Sequence, residues 1–361
     1  MKFDAKPLRS IISRPMTSIP SLQPPTRWQR RGPLLLLLLF APVCGEILSG
    51  ATRLSYLFAL APEIMVWGVG ALLIREVVRR TGSGWPSLIT LGLALGVAEE
   101  TVIQQTSFSP IVGVDPLHIY GRVFAVNWVW FVALVIFECV WIVLVPIQLV
   151  ELLFPSRRYS PWLRTRGLII STIVFLVGCY IAWFLWVMRA RPVAFHLPIY
   201  KPALSYILVG LAGIALLILI AFSFRAESQP RNILTRRAPP PLLAGIVAII
   251  LTLPWFYMIG LNFIPRPPVP FWIAILIGLT WAIVALILIR FWAASTAWND
   301  MHRYALVFGS LLSCMASSYL SPGWLRMDSI FRIIVDAISV ILLVLLGLAL
   351  HRRRATSSSS S

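Results

Sequence analysis

Pro86–Pro110, PSLITLGLALGVAEETVIQQTSFSP, opens as an unbroken apolar run and closes on the adjacent carboxylates Glu99 and Glu100. A run of this length with proline at its start reads as a helix long enough to span a bilayer. Ionisable groups at membrane depth cost roughly 2.5–3.5 kcal/mol each on insertion scales, so they face a bundle interior or a wet cavity rather than lipid. On an α-helix Glu100 and Gln104 share a face, with Gly96 and Gly92 one and two turns below Glu100. Such a stripe lets a second helix approach closely and bring a polar partner. The functional centre is expected here.

The remainder of the chain repeats the first half of that pattern. Of 361 residues 59% are hydrophobic and 12% charged, about half the charge of a soluble domain, and the mean hydropathy is +0.86. Apolar runs of about twenty residues recur near 33–49, 56–78, 86–105, 125–153, 167–188, 203–224, 242–262, 271–292, 302–320 and 329–350. The expected fold is all-α, a polytopic transmembrane bundle of about ten spans over residues 33–350. A disordered basic tail is expected over 1–32, and a short basic, serine-rich tail over 351–361.

The net charge of +18 would suggest nucleic acid in a soluble chain. Here the basic residues sit in short loops, where they set orientation and meet anionic lipid. Of 31 lysines and arginines, 23 fall in the two tails and the loops at 75–80, 157–166, 225–237 and 290–303, while 8 fall in the alternate loops. That alternation predicts a multi-pass protein of the plasma membrane with both termini cytoplasmic, membrane lipid as its partner, and no nucleic-acid partner. The four cysteines, Cys44, Cys139, Cys179 and Cys314, fall within spans and read as small core residues. No nucleotide-binding motif is present, which excludes ATP-driven transport by this chain alone.

Six acids fall inside the expected spans: Glu46, Glu63, Glu99, Glu100, Glu138 and Asp336. At about 1.5 Å per residue, five of them share a layer about 10 Å below the outer boundary and Glu138 lies deeper. No lysine or arginine is expected at that depth. Carboxylates crowded into such a layer cannot all be ionised; they share protons or hold a cation. Asn127 and Glu138, eleven residues apart, are expected on one face of the fourth span. Arg75 and Glu76, and Gln148 and Glu151, are expected at the inner interface, where Arg75 can snorkel.

Glu99-Glu100-Thr-Val-Ile-Gln104, followed by Leu134-Val-Ile-Phe-Glu138 in the next span, resembles the EExxxR and FxxxH motifs of the CAAX-protease and bacteriocin-processing family of intramembrane metalloproteases. Glutamine stands for arginine, leucine for phenylalanine and glutamate for histidine; Cys314-Met-Ala-Ser-Ser318 is all that stands for the third, histidine-bearing motif. The resemblance implies Glu99 and Glu100 as catalytic residues, with Glu99, Glu100 and Glu138 holding a divalent cation. Oxygen-only ligation favours magnesium, manganese or calcium over zinc. The strings GALLIREVVRR (70–80), VELLFP (150–155) and PWLRTRGL (161–168) are also similar to a set of uncharacterised bacterial membrane proteins with such a helix. Three functions stay open: an intramembrane hydrolase, a proton- or cation-coupled transporter, and a non-enzymatic scaffold held by interhelical carboxyl hydrogen bonds.

Overall fold

The computed structural model describes residues 26–224, 238–320 and 325–358. Within them the chain forms ten principal helices: α1 (Arg27–Pro42), α2 (Leu54–Arg80), α3 (Trp85–Ile103), α4 (Trp128–Leu153), α5 (Thr165–Ala194), α6 (Leu204–Ser223), α7 (Pro241–Phe263), α8 (Phe271–Ala293), α9 (Asp300–Ser318) and α10 (Arg326–Ser358). The only strands among the described residues are β1 (Arg122–Val123) and β2 (Val126–Asn127), an antiparallel hairpin turning at Phe124 and Ala125, both at positive φ. The fold is an all-α polytopic bundle.

Eight of these helices are long and apolar enough to cross a membrane, against the ten expected from sequence. The two that fall short are α1, whose apolar run lies between Arg30–Arg31 and Glu46, and α9, which carries Asp300, Arg303 and four serines. In α9 neighbouring helices rather than lipid receive the polar groups: Ser310, Ser313, Ser317 and Ser318 are all buried. The expected tail also gives up its last residues, because Thr26 and Gln29 form a capping box that starts α1 at Arg27. Residues 1–25, 225–237, 321–324 and 359–361, including the expected break at Ser321–Gly323, lie outside the described residues.

Helix α4 is the hub. One face packs Ile142, Ile147 and Val150 with Leu37 of α1, Val66 and Leu72 of α2, and Leu88 and Leu95 of α3. Its other face packs Val129, Phe137, Trp141 and Leu149 with Trp255 of α7, Leu311 and Cys314 of α9, and Leu346 of α10. Two indoles tie this second cluster together: Trp141 Nε1 donates to Ser310 O at 3.1 Å and Trp255 Nε1 to Ala133 O at 2.8 Å. Buried Tyr or Trp needs such a partner. Around this centre α5, α6 and α8 bury only 11% of their most apolar window, whereas α3 buries 72%. The outer helices thus present apolar flanks suited to lipid, and α3 and α4 are held inside.

Alternate loops gather at opposite ends. At one end Trp28 meets Phe154 with ring centroids 6.0 Å apart, Arg75 reaches Ser160, Arg158 reaches Asp300, and His302 meets Pro239. At the other, Ser55 N donates to Asp328, Tyr120 to Val269 O, and Arg191 to Pro110 O. Helices α1 and α9 run between the same two ends as their more apolar neighbours.

At the first end Arg75, Glu76, Gln148 and Glu151, expected at the inner interface, are all buried within the protein, so Arg75 does not snorkel to water. Arg75 matches every one of its five N–H donors: Nε to Glu151 at 3.1 Å, Nη1 to Glu76 and Ser160 O, and Nη2 to Arg157 O and Arg158 O. Its guanidinium carbon lies 3.4 Å from the centre of the Trp162 ring. Arg79 forks onto Glu151 at 2.8 and 3.0 Å, and Glu76 accepts from the Trp162 and Leu163 backbone at 2.7 and 3.1 Å. The three strings that carried the bacterial resemblance therefore meet in one ionic knot. Sequence position near a helix end suggested snorkelling; the 155–164 loop instead folds over the arginine and supplies its acceptors.

Candidate functional site

Close approach of α3 and α4 builds the site. A Cβ at Gly92 would lie 2.8 Å from Cys139 Sγ, and one at Gly96 would lie 2.8 Å from Val135 O and 3.3 Å from Glu138 Oε2. The glycine stripe therefore brings α4 against the backbone of α3 and delivers a polar partner, Glu138, opposite Glu99 and Glu100. One carboxylate oxygen from each of Glu99, Glu100 and Glu138 lies within 4.8 Å of the others, and all three side chains are buried. Among the described residues no other His, Cys, Asp or Glu joins this group.

The helices widen where the acids stand. π turns, with i→i+5 hydrogen bonds, occupy Val43–Ile47, which contains Glu46; Ile64–Gly68, directly after Glu63; Glu99–Ile103, opening on both site glutamates; and Glu138–Leu144, opening on Glu138. Such turns are rare and concentrate at functional sites. The extra residue also changes a register read from α-helical spacing: Gln104 N bonds to Glu99 O at 2.9 Å, and the Gln104 side chain meets Glu99 rather than Glu100. No composition or spacing in the sequence signals a π turn.

Glu100 is held by the loop that follows it. Its Oε2 accepts from Thr106 Oγ1 at 2.6 Å and from Ser107 Oγ at 2.5 Å. That loop leaves the helix at Gln105, whose φ of 59° stops α3. Asn127 then pins it: Asn127 N donates to Ser107 O at 2.8 Å, and Nδ2 donates to Thr106 O and to Ser109 O at 3.1 and 2.7 Å. Arg122 donates to Asn127 Oδ1 at 2.6 Å. Asn127 therefore does not share a helix face with Glu138; it sits in β2, one residue before α4, with its amide spent on the loop.

Glu138 Oε2 and Glu63 Oε2 are buried without a hydrogen-bond partner. Glu63 Oε1 accepts from Thr52 Oγ1. Glu46 interacts electrostatically with Glu63, Glu99 and Glu138, so Glu46, Glu63 and Glu138 join the Glu99–Glu100 pair in one group of five acids. Asp336 does not share that situation. Arg332 Nε lies 3.0 Å from Asp336 Oδ2, and the same guanidinium donates to Ile47 O at 2.7 Å, Met315 O at 3.1 Å and Leu48 O. The expectation of no basic residue among the acids fails at this point, because Arg332 belongs to α10 itself, one turn before Asp336, and not to a loop. Cys314, in the segment aligned with the third protease motif, lies with Sγ 3.7 Å from Cys44 O and outside the carboxylate group.

Two like charges about 4 Å apart repel by about 4 kcal/mol at an effective dielectric of about 20. Three carboxylates this close require protons or a cation between them. The donor set is oxygen only, with one carboxylate already fixed by two hydroxyls and one carrying an oxygen with no partner. Hard divalent ions prefer such ligands. No curated protein and no solved structure matches the chain. The model of an uncharacterized membrane protein family matches residues 35–356, from the apolar run of α1 almost to the end of α10, and the chain belongs to that family.

Proposed function

We propose that Glu99, Glu100 and Glu138 bind a hard divalent cation within the bundle, and that the protein is a metal-dependent intramembrane hydrolase distantly akin to the CAAX-protease and bacteriocin-processing family. The observation that carries this reading is the convergence of three buried carboxylates within 4.8 Å, one of them with an unpartnered oxygen. Thr106 and Ser107 hold Glu100 as a ligand by donating to its Oε2. Glu138 contributes an oxygen where the related family has histidine. A cation held there would polarise a water molecule, and the second carboxylate oxygen of Glu99, beside Gln104, would accept its proton. The substrate enters from the lipid, since the flanking helices are apolar outward. In this reading the protein is a multi-pass plasma-membrane protein with cytoplasmic termini, supported by the 23-to-8 split of basic residues and by their gathering at the end bearing Arg75, Arg157 and Arg158.

A second reading, a proton- or cation-coupled transporter, draws on Glu46 and Glu63. They extend the acidic group from the pair toward the loop at Thr52, as a relay would need. The two are separated by metal analysis and transport. Purified wild type should carry a divalent cation and melt higher with magnesium, manganese or calcium added. Glu138→Gln, and Glu99→Gln combined with Glu100→Gln, should stay folded and lose the ion. No metal in either form, with melting unaffected by any ion, would sink the cation reading. Ion uptake into proteoliposomes that is abolished by Glu63→Gln would favour the transporter.

A further inference from the structure

A second, oppositely charged centre lies at the same end of the bundle. Arg191 is 1% exposed, in the π-helical segment Phe184–Ala194 that ends α5. Its Nη2 donates to Pro110 O at 3.0 Å, and its Nε is buried with no partner. No carboxylate among the described residues lies within ion-pair range of it. Each of the other buried arginines has a carboxylate: Arg75 has five acceptors, two of them carboxylates, Arg332 has Asp336 and three carbonyls, and Arg158, whose Nε also lacks a partner, pairs with Asp300 at 2.8 Å. A buried guanidinium with neither counter-ion nor a full set of acceptors is strongly unfavourable unless something else supplies them.

The neighbourhood is short of the same thing. Ser109 precedes the carbonyl that Arg191 grips, is 2% exposed, and has a buried Oγ with no partner. Its position is fixed, because Asn127 Nδ2 holds the Ser109 carbonyl at 2.7 Å. Trp186 Nε1, in the same π-helical segment, is likewise a buried donor without an acceptor. Donors in excess, one full positive charge and no acid of the chain in reach describe an anion site whose anion comes from outside the chain. Arg suits phosphate and carboxylate oxygens because its planar fork matches them. The approach is through lipid, since only 11% of the most apolar window of each of α5 and α6 is buried.

We propose that Arg191 and Ser109 form a binding site for a phosphate-type oxyanion, presented by an amphipathic molecule that reaches it along α5 and α6. The site is separate from the three glutamates in residues and in charge, and it stands whether or not they bind a cation. The test uses the full chain in an uncharged detergent, with tryptophan fluorescence and melting temperature as readouts. The probes are dihexanoyl-phosphatidylglycerol, dihexanoyl-phosphatidylcholine and inorganic phosphate. Wild type should bind dihexanoyl-phosphatidylglycerol saturably, and more tightly than the zwitterionic lipid. Arg191→Gln should weaken that binding about tenfold or more, and Arg191→Lys less, the charge-assisted bond being the larger contribution. Ser109→Ala keeps the charge, guards against a misfolded arginine variant, and should weaken binding severalfold. Inorganic phosphate binding as tightly as the lipid, with the same response to the variants, assigns the site to a free anion and upholds it. No saturable binding of any phosphate carrier, or equal affinities in wild type, Arg191→Gln and Ser109→Ala, would overturn the proposal.

Discussion

Gly96→Ala is the substitution that interrogates the site most directly, because it changes no charge and removes no hydrogen bond. The added Cβ would lie 2.8 Å from Val135 O and 2.9 Å from Val135 Cα, both backbone atoms that cannot swing aside. Ordinary contact begins near 3.4 Å, so α3 and α4 must part by about 0.6 Å at this crossing. Overpacking of this kind costs about 1–3 kcal/mol, partly offset by the roughly 1 kcal/mol that alanine gains over glycine inside a helix. The separation also carries Glu138 away from Glu99 and Glu100, and site geometry tolerates displacements of only about 0.5 Å. Divalent-cation affinity should therefore fall by about tenfold, and the melting temperature should drop by a few degrees. Two neighbours calibrate the measurement. Gly92→Ala is tight only against the side-chain sulfur of Cys139 and should be milder, while Gly213→Ala, whose nearest neighbour is 3.9 Å away, should be neutral or stabilising by up to about 1 kcal/mol. Thermal unfolding and isothermal titration with manganese on the three variants decide the matter. A Gly96→Ala protein that melts and binds like wild type would refute the close-packing argument.

Three further outcomes are expected. Glu151→Ala should lower stability by about 3–5 kcal/mol, since it strips Arg75 and Arg79 of a buried partner; unfolding indistinguishable from wild type would contradict the knot's structural role. Asn127→Ala should cost about 1–3 kcal/mol and raise the cation concentration needed for half-saturation, because the loop carrying Thr106 and Ser107 loses its pins; a stability loss with unchanged affinity would show that Glu100 is held without them. A membrane-impermeant thiol reagent applied to intact cells should label cysteines placed at 118, 196 and 266, while those at 160, 235 and 355 should react only once the inner face is opened; the reverse order would invert the orientation.

The sequence carried the site further than it carried the fold's exceptions. Two adjacent glutamates above a glycine stripe are legible because both the cost of burying charge and the closeness that glycine permits are local properties. Glu138 was reachable only through the resemblance to the FxxxH motif, since counting along its helix set it deeper than the pair it meets. Asn127 was misplaced because α-helical spacing was extended through a residue that belongs to a hairpin, and Gln104 because a π turn inserts a residue that no side-chain pattern marks. Arg332 and Arg75 were assigned to boundaries by counting from the ends of apolar runs. What holds them inside is backbone carbonyls of distant segments, Ile47 and Leu48 for one, Arg157 and Arg158 for the other, and carbonyls have no sequence signature.

The widened turns also change how these helices respond to a change in length. In a regular α-helix, deleting one residue rotates everything beyond it by about 100° and turns a packed face toward the wrong neighbour. A π turn is an α-helix that has already absorbed one extra residue, so a deletion inside it leaves the halves on either side facing as they did. Helix α4 thus contains a short window, Glu138–Leu144, where a codon can be lost without scrambling the interfaces of Val145–Leu153 beyond it. What such a deletion would remove is the presentation of Glu138, so in this helix the scaffold and the carboxylate it presents are separable by one residue.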